Sequence, residues 1–133
     1  MYEVAVKAII LWQNDVLLLQ KTKKEKKDDA DDNSFDLPGG RLKGKENIDE
    51  GLKREIREET GLDVIFSNIF EASTIENKAG VQIVMLYYVC RCANSTVLLS
   101  EEHEAYFWVD KNVILVRDDI PEWIKKLVEK LSD

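Results

Sequence analysis

The stretch that most constrains this chain runs from Gly40 to Leu62, GRLKGKENIDEGLKREIREETGL. Its second half, Asn47 to Thr60, has the signals of a helix. Asn47 is a good N-cap, and Glu50, three residues on, is placed to reach back in a capping box. Gly61 stands where a left-handed residue closes a helix. At 3.6 residues per turn, Glu55, Glu58 and Glu59 fall within one arc of about 100°. Lys53 and Arg57 project from the other side. Ile48, Leu52 and Ile56 make an apolar stripe next to the acidic arc, so the helix has a face to bury.

That arrangement contradicts two local rules. Like charges three and four residues apart destabilise a helix by about 0.2–0.5 kcal/mol per pair. Carboxylates in the last turn oppose the macrodipole, at about 0.3–1 kcal/mol each. Glu58 and Glu59 do both. Such contradictions mark functional positions when something else offsets the cost. A hard divalent cation would reverse the sign of both terms, because oxygen ligands are what it prefers. A charged, solvated surface helix is the competing reading of the same residues.

The spacing of the whole stretch separates the two readings. It fits G-x5-E-x7-R-E-U-x-E-E-x-G-U, with U a bulky aliphatic residue, through Gly40, Glu46, Arg54, Glu55, Ile56, Glu58, Glu59, Gly61 and Leu62. Every fixed position is filled. The pattern resembles the Nudix box, and Phe35-Asp36-Leu37-Pro38-Gly39 ahead of it resembles the strand and turn that lead into that box. The chain is therefore similar to the Nudix hydrolases, which cleave a nucleoside diphosphate linked to another group.

The rest of the chain is consistent with one domain over residues 1–133. This length suffices for a core, and 44% hydrophobic with 34% charged residues is a globular balance. The net charge of −7 argues against a general nucleic-acid binder, which needs a basic face. It suits a site that gathers cations before meeting an anionic substrate. No apolar run is long enough for a membrane span. Met1 leads into a strand pattern carrying Glu3 and Lys7, so the expectation is a cytoplasmic protein without a leader.

Residues 3–12 and 16–20 are apolar and rich in β-formers, and Gln13, Asn14 and Asp15 between them predict a hairpin. Residues 21–34, KTKKEKKDDADDNS, form a charge block that reads as a loop, either simply solvated or touching substrate phosphates through its lysines. Pro38-Gly39-Gly40 reads as a turn that lets backbone approach a ligand. Strands are expected near 62–75 and 81–92, then short ones at 97–99 and 105–109. A final helix is expected from Pro121 to Leu131, with Trp123, Ile124, Leu127, Val128 and Leu131 on its apolar face. Strands around a central helix, with another helix closing the chain, imply an α/β/α sandwich, and the resemblance implies a mixed β-sheet within it.

Several residues carry two readings each. Cys90 and Cys92 share a strand face and read as packed free thiols rather than a metal or redox pair. Trp12, Trp108 and Trp123 read as core. Gly51, inside the helix, costs about 1 kcal/mol relative to alanine, which close packing would explain. Phe35, beside the turn, is a candidate to meet a nucleotide base. Ser100 to Trp108 places Glu101, Glu102, His103 and Glu104 in an acidic loop before a strand. The resemblance makes this a region from which a further metal ligand or general base can come, with Glu102, His103 and Glu104 as candidates.

The resemblance implies attack of water on a phosphorus of the diphosphate. Glu55, Glu58 and Glu59 would hold Mg²⁺ or Mn²⁺, with the Gly39 carbonyl as an additional ligand. Glu55 is alternatively the base. Arg54 would orient the carboxylates and Glu46 would brace the turn before the helix. Gly40 and Gly61 would be backbone requirements. The implied partner is a small nucleotide, and family members are often dimers. MutT-like action on nucleoside triphosphates, including damaged ones, is the leading expectation. ADP-ribose or sugar nucleotides, dinucleoside polyphosphates and a non-catalytic nucleotide-sensing module are the alternatives.

Overall fold

A computed structural model describes residues 2–22 and 35–131. Strands β1 (Tyr2–Trp12) and β2 (Asp15–Lys21) form the expected hairpin, and Gln13 takes a left-handed φ of 57° at its turn. Two short strands follow, β3 (Phe35–Asp36) and β4 (Gly39–Arg41), then helix α1 (Ile48–Thr60). Strands β5 (Val64–Glu76), β6 (Gln82–Cys92) and β7 (His103–Asp110) complete the sheet. Helices α2 (Lys111–Val116) and α3 (Glu122–Lys130) end the described chain.

The sheet is mixed. β1 runs parallel to β6, and the other pairings are antiparallel. The strand order is β3-β2-β1-β6-β5, with β4 also on β1 and β7 also on β2. β1 explains the layers. Val6, Ala8 and Ile10 point to one face, where Leu52 and Ile56 of α1 complete a buried cluster. Ala5, Ile9 and Leu11 point to the other, where Ile114, Ile124, Leu127 and Val128 of α2 and α3 cover them. A strand buried on both faces reads as a continuous apolar run rather than an alternating one. The α/β/α sandwich is therefore the fold observed.

The α1 caps follow their residues closely. Asn47 Oδ1 accepts from the Asp49 N–H at 2.9 Å, rather than pairing reciprocally with Glu50. Gly61, at φ 73°, donates to the Arg57 carbonyl at 2.9 Å. Gly51 faces a crowded wall, since a Cβ there would lie 2.4 Å from Leu42 Cδ2. Close packing explains it. Ile48, expected in the buried stripe, is 41% exposed, and Leu52 and Ile56 carry the helix contact alone.

Four expectations need correction. Residues 97–99 are not a strand. Their backbone turns to the end of α1, where Leu98 N–H donates to the Thr60 carbonyl and Ser100 N–H to the Glu59 carbonyl. Those are the last-turn acceptors that a helix leaves open. β7 begins at His103 rather than at 105, so His103 is a strand residue. Lys21 belongs to β2 and is buried, while residues 23–34 of the charge block lie outside the described chain. Helix α2 was not anticipated, although Asp110 caps it through the Asn112 N–H at 2.8 Å. Among the described residues no helix is long and apolar enough to cross a membrane.

Gly39 is the tightest point of the fold. It has φ 149°, and a Cβ would fall 2.1 Å from the Val6 carbonyl oxygen, which β1 cannot withdraw. Gly39→Ala should therefore lower stability by at least about 2 kcal/mol. Urea unfolding checks this, and a midpoint within error of the parent chain would contradict it.

Candidate active site

The acidic arc of α1 is not uniform once folded. Glu59, in the last turn, is buried at 8% exposure, and its Oε1 accepts from the Gly39 N–H at 2.8 Å. Glu55, one turn earlier, points at Gly40, where a Cβ would lie 2.5 Å from its Oε2. The absent side chain at Gly40 is thus the space the Glu55 carboxylate fills. Glu58 sits further out, its side chain 53% exposed against 13% for Glu55. The Pro-Gly-Gly turn is a short strand against β1, and it brings backbone against two carboxylates.

Arg54 organises this face. Its Nη1 donates to Glu55 Oε1 at 3.1 Å and to Glu58 Oε1 at 3.0 Å. Its Nε and Nη2 donate to the two oxygens of Glu46. Glu46 also accepts from the Lys43 N–H at 2.9 Å, closing the loop before α1. The Arg54 bonds hold the Glu46 carboxyl down at about 2. Charge-assisted bonds of this kind fix direction as well as distance.

Two residues that sequence reasoning passed over lie beneath the carboxylates. Lys7 Nζ sits 3.0 Å from both Asp36 oxygens and 3.1 Å from the Leu37 carbonyl. The signal was present: Lys7 interrupts the apolar run EVAVKAIILW, and a buried charge requires a partner. The field of Asp36, Glu59 and Glu55 outweighs burial and raises the Lys7 pKa. The pair holds Leu37, and so the turn, against β1.

The segment before β7 comes to the same place. Glu59, Glu102 and His103 each offer a ligand atom, and these atoms lie within 4.8 Å of one another. His103 is 8% exposed, and its Nδ1 has no hydrogen-bond partner among the described residues. Burial pushes its imidazole below the ordinary value, towards the neutral form. Glu104 is exposed and stands outside this group. Phe35 is buried, in an edge contact with Phe107 at 6.0 Å and with the Arg117 guanidinium 5.9 Å over its ring. A base stacking on that face would have to displace Arg117. Cys90 and Cys92 are buried free thiols, pushed up to about 12 and about 11 by burial, and so are poor ligands and nucleophiles at neutral pH.

The donor set fits a divalent cation. Buried Glu59, exposed Glu102 and buried His103 bring ligand atoms within 4.8 Å of one another, the mostly buried Glu55 lies one turn earlier on the same helix, and Lys7 hydrogen-bonds to Asp36. Burial, opposed by Lys7 and the Gly39 N–H, pushes the Glu59 carboxyl up to about 8, and burial also raises Glu55. Carboxylates so crowded are stable as anions only when a cation joins them.

The comparisons place this chain in a family. The NUDIX domain family matches residues 1–131. The chain is 35% identical over 83 residues to the nucleoside triphosphatase NudI of Escherichia coli O139:H28, covering 55% of this chain and 59% of that protein. It is 32% identical over 92 residues to NudI of Salmonella newport, covering 62% and 65%. The chain thus spans about three fifths of the length of the curated relatives it matches. A MutT protein from Methanosarcina mazei Go1 superimposes with TM-score 0.80 at 26% identity, over 97% of this chain and 91% of that one. A MutT Nudix hydrolase from Burkholderia pseudomallei gives TM-score 0.81 at 19% identity, over 99% of each, a likeness of fold. The chain belongs to the Nudix hydrolase family.

The raised Glu59 pKa has a testable sign. Between 4.5 and about 8 the folded protein keeps a proton that the unfolded chain has released. Its contribution to stability is whole below the unfolded value and is lost as pH rises through about 8. In chelator-treated buffer, Tm should fall from pH 6 to pH 9 more steeply for the parent than for Glu59→Gln. Parallel Tm profiles would show that Glu59 does not titrate in this way.

Proposed function

We propose that the chain is a divalent-cation-dependent pyrophosphohydrolase acting on nucleoside triphosphates and releasing a nucleoside monophosphate. The observation that carries this reading is the buried Glu59 carboxylate, clustered with Glu55, Glu102 and His103 beside the Gly39–Gly40 backbone. The name of its NudI relatives, nucleoside triphosphatase, supports the triphosphate branch.

Glu55, Glu58 and Glu59, with the Gly39 carbonyl, are the groups that would hold Mg²⁺ or Mn²⁺. Such an ion, when bound, neutralises phosphate charge and makes its water a better nucleophile. The remaining roles belong to the chain. Arg54 keeps Glu55 and Glu58 aimed in one direction. Glu55 has Oε1 on Arg54, leaving Oε2 to take a proton from the attacking water. Burial helps that role, because a raised carboxyl pKa makes a stronger base near neutral pH. Lys7 and Asp36 hold the turn that carries Gly39 and Gly40. Gly40 leaves the space that the Glu55 carboxylate fills, and Glu102 lines the substrate side of the cluster. Phe35 and Glu104 are assigned to substrate contact: Glu104 is exposed on β7, and Phe35 is buried against Phe107, which presents the exposed part of the aromatic pair.

A panel of nucleoside triphosphates (oxidised dGTP included), ADP-ribose, nucleotide sugars and diadenosine polyphosphates tests the reading with Mg²⁺ or Mn²⁺ present. Triphosphates should be the preferred class, and Glu59→Gln should reduce turnover at least about 100-fold. Preference for ADP-ribose would move the chain to another branch. Binding without turnover of any compound would make it a sensing module.

Gly40→Ala separates chemistry from folding. The three atoms nearest its Cβ all belong to the Glu55 carboxylate, the end of a side chain that can turn aside, so Tm should change little while kcat falls at least about tenfold. An active Gly40→Ala variant would remove Glu55 from the reacting centre.

A further inference from the structure

We infer that Glu59, Glu102 and His103 form a mixed nitrogen–oxygen cation site, and that its imidazole makes the site select a first-row transition ion of the Mn²⁺ class over Mg²⁺. The inference rests on the catalytic reading above and adds which ion this site takes and which residue selects it.

The three residues come from two elements that meet only in the folded chain. Glu59 lies in the last turn of α1, Glu102 lies just before β7, and His103 opens β7. One ligand atom from each lies within 4.8 Å of the others. Around an octahedral ion with bonds of about 2.1 Å, neighbouring donors are about 3 Å apart and opposite donors about 4.2 Å apart. Small side-chain rotations therefore close the group on an ion.

His103 supplies the independent observation. It is more than nine-tenths buried, and Nδ1 has no partner among the described residues. Leaving a buried polar atom unpaired costs about 1–3 kcal/mol, and native interiors seldom do so without a reason. Two cations lie near it, Lys7 and the cross-strand Lys21, and neither pairs with Nδ1. Lys7 directs its hydrogen bonds to Asp36 and the Leu37 carbonyl. Glu102 is exposed, so the group has an open side from which an ion can arrive.

The donor types then decide the ion. Mg²⁺ takes oxygen donors and gives up its water reluctantly. Imidazole suits the transition ions, and affinity of a nitrogen-containing site rises along the series that begins with Mn²⁺. Glu55 and Glu58, which offer only oxygen, do not make this distinction. His103 does.

The test uses the full chain with metal alone and no nucleotide. Mn²⁺ is bound, and electron spin-echo modulation reports whether ¹⁴N lies in its first coordination sphere. The parent chain should show the nitrogen signal and bind Mn²⁺ at least about tenfold more tightly than Mg²⁺ in competition titrations. His103→Gln should lose the signal and bring that ratio close to one. Glu102→Gln should weaken Mn²⁺ binding while keeping the signal, so the inference stays testable even if His103→Gln does not fold. Mn²⁺ bound to the parent without a nitrogen signal, or no Mn²⁺ bound at all, overturns the inference. Magnesium-dependent hydrolysis together with that negative result would leave the catalytic reading intact. Nitrogen coupling without turnover of any nucleotide would do the reverse.

Discussion

One buried carboxylate sets the terms for the rest of the structure. Glu59 leaves water at the end of α1 and meets the Gly39 N–H, with Lys7 and Asp36 close behind. Burying an isolated carboxylate costs several kcal/mol, so its neighbours must be arranged to accept it. The glycines of the turn let backbone come close. The Lys7–Asp36 pair ties the Leu37 carbonyl to β1. The turn, the strand and the helix end are thereby held in one register around a single carboxyl group.

Arg54 performs the complementary task at the solvent side. A planar guanidinium can serve several carboxylates at once, and here it bridges Glu46, Glu55 and Glu58. It offsets part of the repulsion along α1 and gives the exposed carboxylates a fixed direction. The helix therefore carries one balance through Arg54, while at its end Glu59, Glu102 and His103 bring ligand atoms within 4.8 Å of one another.

The sandwich makes this compatible with stability. Leu52 and Ile56 anchor α1 to one face of the sheet, while α2 and α3 cover the other. The acidic face is then free to be locally unfavourable, since apolar burial elsewhere fixes where the helix lies. The return of residues 97–100 along the end of α1 adds backbone bonds at the same point where Glu59 sits. That segment also delivers Glu102 and His103.

The sequence by itself determined most of the elements and the acidic helix, though not the short helix α2 or the course of residues 97–99. Period, caps and the filled spacing from Gly40 to Leu62 were local signals, and local signals survive without a fold. The hairpin, the two long strands and the final helix were legible for the same reason. What the chain could not reveal was which carboxylate is buried. Glu55, Glu58 and Glu59 share one arc, and only packing against β4 separates a buried Glu59 from an exposed Glu58. The Lys7–Asp36 pair spans 29 residues, and Glu102 and His103 reach Glu59 from more than 40 residues away. Such contacts depend on strand order and on where a loop turns back, which no local pattern encodes. The residue types announced an acidic helix face. Tertiary structure decided which carboxylate is buried and what gathers around it, because burial, not spacing, sets the energy of a charge.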